Sequence, residues 1–434
     1  MKKFKFQYKQ LAPIWIAVFI DILGFSIILP FLPFFIAEFN ASPIVIGFLL
    51  SSNAIFAFVF GPIWGKLSDK YGRKPILVIS QAGTLAGFII LIFSNNILVL
   101  FLARIIDGIF SGQFTIAKAI IGDIVPPEER SKQMTNIGIA FALAFLIGPA
   151  IGGFLSPFGI LGPGLLASIL AAFTLVYILI YFKETLPIKV GLQSWAKIKA
   201  DSNALDKNKL NENSKRNSRV WGNRKALILL LQYAFVIIAA GIFESTFSLY
   251  GGFRLGLNAQ AIGILLSLMG IFQVIFRGLI FERLRKKLGD PKLAMLGLGS
   301  YILSYLLLGF VTQTWELVLV LFYISFSGAT SRGIITGFTS RSVDYLSQGK
   351  VMGITSSLDS LSQIIGPIAG GFLISLPVDP VYALVLSALS IVPFIISFKV
   401  LKFGYDDRNK PKETDNSSNL LQKMPQTVQE PKID

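Results

Sequence analysis

The sequence predicts an all-α polytopic membrane protein with twelve transmembrane helices in two pseudo-symmetric six-helix halves. Three observations predict it. Apolar residues make up 53% of the 434-residue chain and lie in long uninterrupted runs, while only 15% of residues are charged; an average soluble domain carries roughly 25%. The segments between the runs alternate between basic and almost free of Lys and Arg. Landmarks of the first half recur in the second at a nearly constant shift.

A spanning helix needs about 20 residues. On that length the spans are 11–36, 44–64, 76–93, 97–121, 134–155, 161–182, 227–250, 261–281, 293–311, 316–338, 351–375 and 380–401. The apolar stretch behind the basic start MKKFKFQYKQ exceeds a signal-peptide core, and no small-residue cleavage site follows it. It is expected to remain as span one. KLSDKYGRK, PPEERSK, the stretch from Lys183 to Lys225, ERLRKKLGDPK, SRSVDYLSQGK and the two ends of the chain hold 35 of the 40 Lys and Arg. The alternate segments hold one, Arg254. By the positive-inside rule the basic set, with both termini, is cytoplasmic in a multi-pass cell-membrane protein.

The divisions follow: an N-terminal half over 1–182, a basic cytoplasmic linker over 183–226, a C-terminal half over 227–405 and a tail over 406–434. The linker core, Ser194 to Asn223, is rich in Asn, Lys and Ser and cannot bury a core. A one-turn surface helix around Trp195 to Ile198 is a further expectation. Between the halves, GPAIGG at 148–153 recurs as GPIAGG at 366–371, Lys132 and Met134 as Lys350 and Met352, and Gly72 as Gly289. Parallel six-span repeats place a substrate site between them.

Several function classes are excluded. The chain has no Cys and no His, so disulfides, thiolate chemistry and the commonest general base and metal ligand are absent. No GxxxxGK[ST] loop occurs, and no cofactor is expected. The net charge of +16 is spread over alternate short loops, which argues against nucleic acid as a partner. An enzyme is not expected.

The strongest motif is GKLSDKYGRKP, Gly65 to Pro75. Gly65 permits close helix approach and Gly72 a tight turn. Asp69 suits a helix N-terminus or a basic partner, and Arg73 needs an acid, for which Asp123 is the candidate. In the second half Glu282 stands at the place of Gly65 and Lys286 at that of Asp69. This motif resembles the signature loop of the major facilitator superfamily. With DILGFSIILPFLP in span one, RIIDGIFSG in span four, GIAFALAFLIGPAIGG in span five and FESTFSLY in span seven, the chain resembles the twelve-span drug:proton antiporter branch, near the tetracycline-resistance-like exporters. The resemblance implies an Asp69–Arg73–Asp123 latch that holds the cytoplasmic side closed. It also implies an antiporter motif, Gly138, Gly148, Pro149, Gly152 and Gly153. Asp107 stands where that branch usually carries Gln.

Ionisable groups in a span normally face a cavity or a partner. Spans three, six, nine and twelve carry none in their interiors, whereas spans one, four, seven and ten carry Asp21, Arg104, Asp107, Lys118, Glu244 and Arg332. On span four, Arg104, Asp107, Ser111, Thr115 and Lys118 form one polar stripe, as a cavity lining would. Arg104 and Asp107 can also neutralise each other, and Lys118 can snorkel. A buried carboxyl with a moving Arg partner makes a proton switch. Arg104 is the expected partner of Asp21. Glu244 has no basic neighbour on its helix and is expected to be protonated at rest, or to make a helix-packing hydrogen bond. Asp359, with Thr355 and Ser362 on its face, can pair with Arg332, and Arg277 is expected to snorkel. Phe25, Phe243 and Phe247 are candidate contacts for an apolar substrate.

The expected function is secondary active transport by a monomer: proton in, a small amphipathic or drug-like molecule out, by alternating access. The competing reading is a facilitative or proton-coupled carrier of a sugar or other metabolite on the same fold.

Overall fold

The computed structural model describes residues 11–125, 127–185, 223–343, 345–378 and 380–402. The linker core, its surface helix and the tail lie outside them, apart from Asn223, whose Oδ1 caps span seven by accepting from Lys225 N and Ala226 N. Among the described residues, twelve helices are long and apolar enough to span a membrane: Leu11–Ala37, Pro43–Tyr71, Arg73–Ile92, Ile97–Ile124, Asn136–Phe158, Leu161–Tyr181, Arg224–Leu255, Ala259–Leu288, Asp290–Leu308, Thr314–Arg341, Ser347–Ser375 and Val381–Leu401. They are numbered span one to span twelve.

Several spans run past the expected ends, mostly at the end that carries the basic segments, although span seven also extends to Leu255 and span five to Phe158 at the other end. The signature segment is helix, not loop: span two continues to Tyr71, Gly72 alone links it to Arg73, and φ at Gly72 is 102°. Gly289 (φ 75°) links Leu288 to Asp290 in the same way. An apolar run ends at its first charges, but backbone hydrogen bonding does not, so the helices project beyond the apolar zone. Only glycine adopts such φ values at low cost, and a one-residue corner needs them.

Spans four and ten are each broken rather than continuous. Span four is two helices, Ile97–Phe110 and Gln113–Ile124, and span ten is Thr314–Thr330 and Arg332–Arg341. A break leaves backbone groups without helical partners. In span four they are met by side chains of spans two and three: Trp64 Nε1 donates to the Ile109 carbonyl, Ser80 Oγ donates to the Phe110 carbonyl, and Gly112 N–H donates back to Ser80 Oγ.

The halves meet at one end only. The largest apolar core runs through both, from Phe31, Leu32 and Phe35 to Phe247, Tyr250 and Tyr382. At the basic end the cores are separate, one around Ile14, Ile120 and Ile178 and others around Leu229, Leu293 and Val351. Two seams join the halves, span two on span eleven and span five on span eight. Both are backbone against backbone. A Cβ added at Gly47 would fall 2.3 Å from the Pro367 carbonyl oxygen, and one at Gly263 would fall 2.4 Å from that of Pro149. The two GPxxGG segments work alike. Gly148 and Gly152 pack on Ser26 and Ile27 of span one, and Gly366 and Gly370 on Gly241 and Thr246 of span seven. Gly153 and Gly371 instead face the opposite half, at Gly263 and Pro43. Gly138, by contrast, has no neighbour within 4 Å of an added Cβ.

The seam tests directly. Gly47→Ala should destabilise this arrangement by about 1–3 kcal/mol through overpacking, and Gly353→Ala, where the added Cβ meets nothing within 4 Å, should not. Because the chain has no Cys, spin labels at Ser42→Cys and Ser375→Cys are unambiguous. Double electron–electron resonance should show a longer-distance population only in the Gly47 variant.

Candidate functional site

The halves meet at the seams and their apolar cores part toward the basic end, and the space left between them is the candidate cavity. Its wall in the N-terminal half carries Asp21, Phe25, Arg104 and Asp107. Arg104 Nη1 pairs with Asp107 Oδ2 at 2.9 Å, and both side chains are buried, 3% and 7% exposed. Asn53 Nδ2 donates to the same carboxylate oxygen at 2.8 Å, and the guanidinium carbon lies 5.4 Å from the centre of the Phe25 ring. The expected Asp21–Arg104 pair is therefore not formed, because Asp107 on the same helix occupies the guanidinium. Asp21 Oδ1 accepts instead from Gln81 Nε2 of span three (3.3 Å). Gln113 Nε2 then donates to Gln81 Oε1 and Thr84 Oγ1. Asp21 thus ends a chain of neutral amides and hydroxyls. Span three carries no charge in its interior, so a search for ionisable groups passes over Gln81, although it is fully buried.

The polar stripe of span four turns outward along its length. Arg104 and Asp107 are buried, Ser111 and Thr115 half-buried and Lys118 exposed. The break at Ser111 and Gly112 divides it. Lys118 Nζ sits 4.1 Å from the centre of the Phe114 ring, and its charge acts on Asp359 across the cavity.

In the C-terminal half one cation serves two acids. Arg332 Nη1 is 3.7 Å from Glu244 Oε1 and Nη2 is 3.4 Å from Asp359 Oδ1. Tyr233 Oη donates to Asp359 Oδ1 at 2.7 Å. The basic neighbour that Glu244 lacks on its own helix comes from span ten, which a scan of that helix cannot reveal. All three charged side chains keep access to the cavity, 46%, 35% and 35% exposed for Glu244, Arg332 and Asp359. Phe243 and Phe247 do not line it. They are 1% and 0% exposed, with Phe243 5.7 Å from Tyr305 between ring centres. A span that is apolar on every side hides which side packs on protein.

At the basic end Arg73 gathers four partners. Nη1 pairs with Asp69 at 2.6 Å and donates to Ser68 Oγ, while Nε and Nη2 donate to Asp123 at 2.8 and 3.3 Å. The group joins spans two, three and four within one half; it does not cross to the other. Glu184, beyond span six, accepts from the backbone N–H of Arg73 and Lys74, both at 2.9 Å, and so caps the exposed N-terminus of span three. Nothing in the spacing of the signature motif points to Glu184. In the second half Arg285 pairs with Asp290 (2.6 Å) and Glu282 (3.5 Å) at the surface.

Sequence and structure comparisons agree. The profile of the Major Facilitator Superfamily matches residues 14–367 and 254–428. The chain is 29% identical over 372 residues to the class H tetracycline resistance protein of Pasteurella multocida, covering 85% of this chain and 89% of that one. It is 27% identical over 369 residues to Multidrug resistance protein 2 of Bacillus subtilis (strain 168), covering 83% and 87%. Among solved structures it resembles the human organic anion transporter MFSD10 (TM-score 0.63, 22% identity, 90% and 99% covered). It also resembles a peptide transporter POT in complex with sulfate (TM-score 0.68, 15% identity, 91% and 94% covered).

The Arg73 group predicts an order of stabilities. Asp123→Ala removes two charge-assisted hydrogen bonds of a buried guanidinium that keeps Asp69 and should cost about 1.5–3 kcal/mol. Glu184→Ala removes a cap and should cost about 0.5–2 kcal/mol. Thermal unfolding in detergent should rank Asp123→Ala below Glu184→Ala, and both below the wild type.

Proposed function

The chain belongs to the Major Facilitator Superfamily, a family of membrane transporters and not of enzymes, and on that premise we propose that it is a proton-coupled antiporter that exports small amphipathic or drug-like molecules by alternating access. Relatives named for tetracycline and multidrug resistance support the cargo class. One observation carries the coupling: Asp21, deep in a spanning helix, is bonded to a neutral amide and to no cation among the described residues. A carboxyl so placed exchanges a proton with the cavity without first breaking an ion pair. In the C-terminal half Glu244 and Asp359 share Arg332, so one proton on either acid leaves the cluster neutral. Asp107, held by both Arg104 and Asn53, serves as the fixed member.

The basic end is cytoplasmic by the positive-inside rule, so the cavity is open inward and the seams seal the outer side. In this reading the Asp69–Arg73–Asp123 group is an intra-half scaffold that holds the basic ends of spans two to four as one body. It contributes to cytoplasmic closure by presenting that body to the other half. The whole pathway lies within one chain, which supports a monomer in the cell membrane. No cofactor enters; the proton gradient supplies the energy.

In reconstituted vesicles, efflux should follow an imposed pH gradient and stop with a protonophore, while ATP has no effect; ATP-dependent transport that survives the protonophore overturns the proposal. Asp21→Asn should abolish accumulation against a gradient but retain substrate exchange, because Asn mimics a permanently protonated acid. Glu244→Gln should slow proton-driven efflux, as it removes one of the two carboxylates that share Arg332. Wild-type proton-driven efflux in both variants would assign the two acids to structure alone.

A further inference from the structure

One turn of span three holds the break in span four. Ser80 Oγ donates to the Phe110 carbonyl and accepts from the Gly112 N–H, and Gly83 leaves room for the Phe110 ring. Gln113, the first residue of the second helix of span four, is held by its side chain: Nε2 donates to Gln81 Oε1 at 3.3 Å and to Thr84 Oγ1 at 2.8 Å. Gln81 Nε2 in turn donates to Asp21 Oδ1 at 3.3 Å and to the Ala171 carbonyl at 3.4 Å. Gln81, Thr84 and Gln113 are all buried. The side chain of Asp21 is therefore linked, through two amides, to the residue that restarts span four.

This chain has a direction. An amide donates only through nitrogen and accepts only through oxygen, an ionised carboxylate only accepts, and a hydroxyl does either. Donation runs from Gln113 to Gln81 to Asp21, as an ionised Asp21 requires. A protonated Asp21 gains an O–H that needs an acceptor, and Gln81 is its one side-chain hydrogen-bond partner among the described residues. If Gln81 turns over, its Oε1 accepts from Asp21 and its Nε2 faces Gln113, donor against donor. Gln113 must then turn over as well. The two lone pairs of its Oε1 accept from Gln81 Nε2 and from the Thr84 hydroxyl. Only the long bond to the Ala171 carbonyl is not replaced. The chain is thus complete in either direction, and the proton on Asp21 selects which.

The charged surroundings leave that selection to Asp21. Of the helices packed on span one, spans five and six carry no Asp, Glu, Lys or Arg over 136–158 and 161–181. The tyrosines of span six, Tyr177 and Tyr181, stack with the exposed Phe173. On span four the charge that acts on Asp21 is that of Asp107, which is fixed by Arg104. Lys118 is exposed and Asp123 is bound to Arg73. Asp123 lies on the helix that Gln113 begins, ten residues on and about 15 Å away.

We propose that Gln81 and Gln113 form a reversible hydrogen-bond relay that passes the protonation state of Asp21 to the break in span four, and so to the helix that carries Asp123. Both amides are then positioning residues for proton coupling, with the Thr84 hydroxyl as the reversible end of the chain. The inference rests on the reading of Asp21 as a proton-exchanging acid.

The test uses the full chain with Phe114→Cys as its single thiol, labelled with bimane and held in lipid nanodiscs. Phe114 follows Gln113 and is exposed. Bimane emission should shift as the pH falls from about 8 to about 5, and the shift should be lost in Asp21→Asn, Gln81→Met and Gln113→Met. Thr84→Ser should keep most of it and Thr84→Val should lose it. Packing alone gives the opposite order, because Val keeps the shape of Thr and Ser does not. Circular dichroism and thermal unfolding verify that each variant is folded, and the Thr84 pair carries the test if the Met variants are not. The proposal is overturned by a labelled parent whose emission does not change with pH, by a shift that survives in Asp21→Asn or in both Met variants, or by Thr84→Val outperforming Thr84→Ser. Failure of the antiporter reading shows separately in vesicles. A relayed shift together with transport indifferent to the pH gradient supports the relay and refutes proton coupling. Full proton-driven accumulation in both Met variants refutes the relay and leaves the antiporter standing.

Discussion

The close approach of helix backbones at the two seams is the constraint on which the rest of the structure depends. Side chains larger than hydrogen at Gly47, Gly153, Gly263 or Gly371 would hold the halves apart. With them in contact at one end, the two six-helix bodies must diverge toward the other, and the wedge between them is the cavity. The GPxxGG segments tie this contact to the interior. Their first glycines seat spans five and eleven on spans one and seven, the helices that carry Asp21 and Glu244, while the last glycine of each touches the opposite half. A change of seam geometry therefore moves the acid-bearing helices with it.

Within that frame the halves use charge differently. The N-terminal half buries a matched pair, Arg104 and Asp107, and leaves Asp21 on a neutral hydrogen-bonded chain. The C-terminal half exposes a shared cluster in which one guanidinium serves two carboxylates. A matched buried pair resists protonation of its acid because that would leave the cation alone in a low-dielectric wall. An acid on an amide, or one of two acids on a single cation, has no such obstacle. Pseudo-symmetry in the backbone thus coexists with a division of electrostatic labour.

Much of this was legible in the sequence. Twelve spans follow from run length, and the six-and-six repeat from GPAIGG and GPIAGG. Gly72 and Gly289, matched by position, share a positive φ. What sequence reading missed has physical reasons. Apolar length ends a span at its first charge, so the helical extension to Tyr71 was read as loop. Ion-pair partners were sought among charged residues of adjoining spans, so the neutral Gln81 went unseen, and Arg104 was matched to Asp21 although Asp107 was nearer on its own helix. The break in span four depends on side chains from spans two and three to take up the freed backbone groups. The seam was present but unread: IGFLLS at 46–51 recurs as IGILLS at 262–267. These two segments carry the glycines that meet Pro367 and Pro149.

Among the described residues no ion pair crosses between the halves, and the seams are made of glycines and main-chain carbonyls, with Ser51 Oγ donating to the Ile364 carbonyl. Parting them strips no charge of its partner and exposes little that water must hydrate. The cost of parting the seams is therefore nearly indifferent to ionic strength.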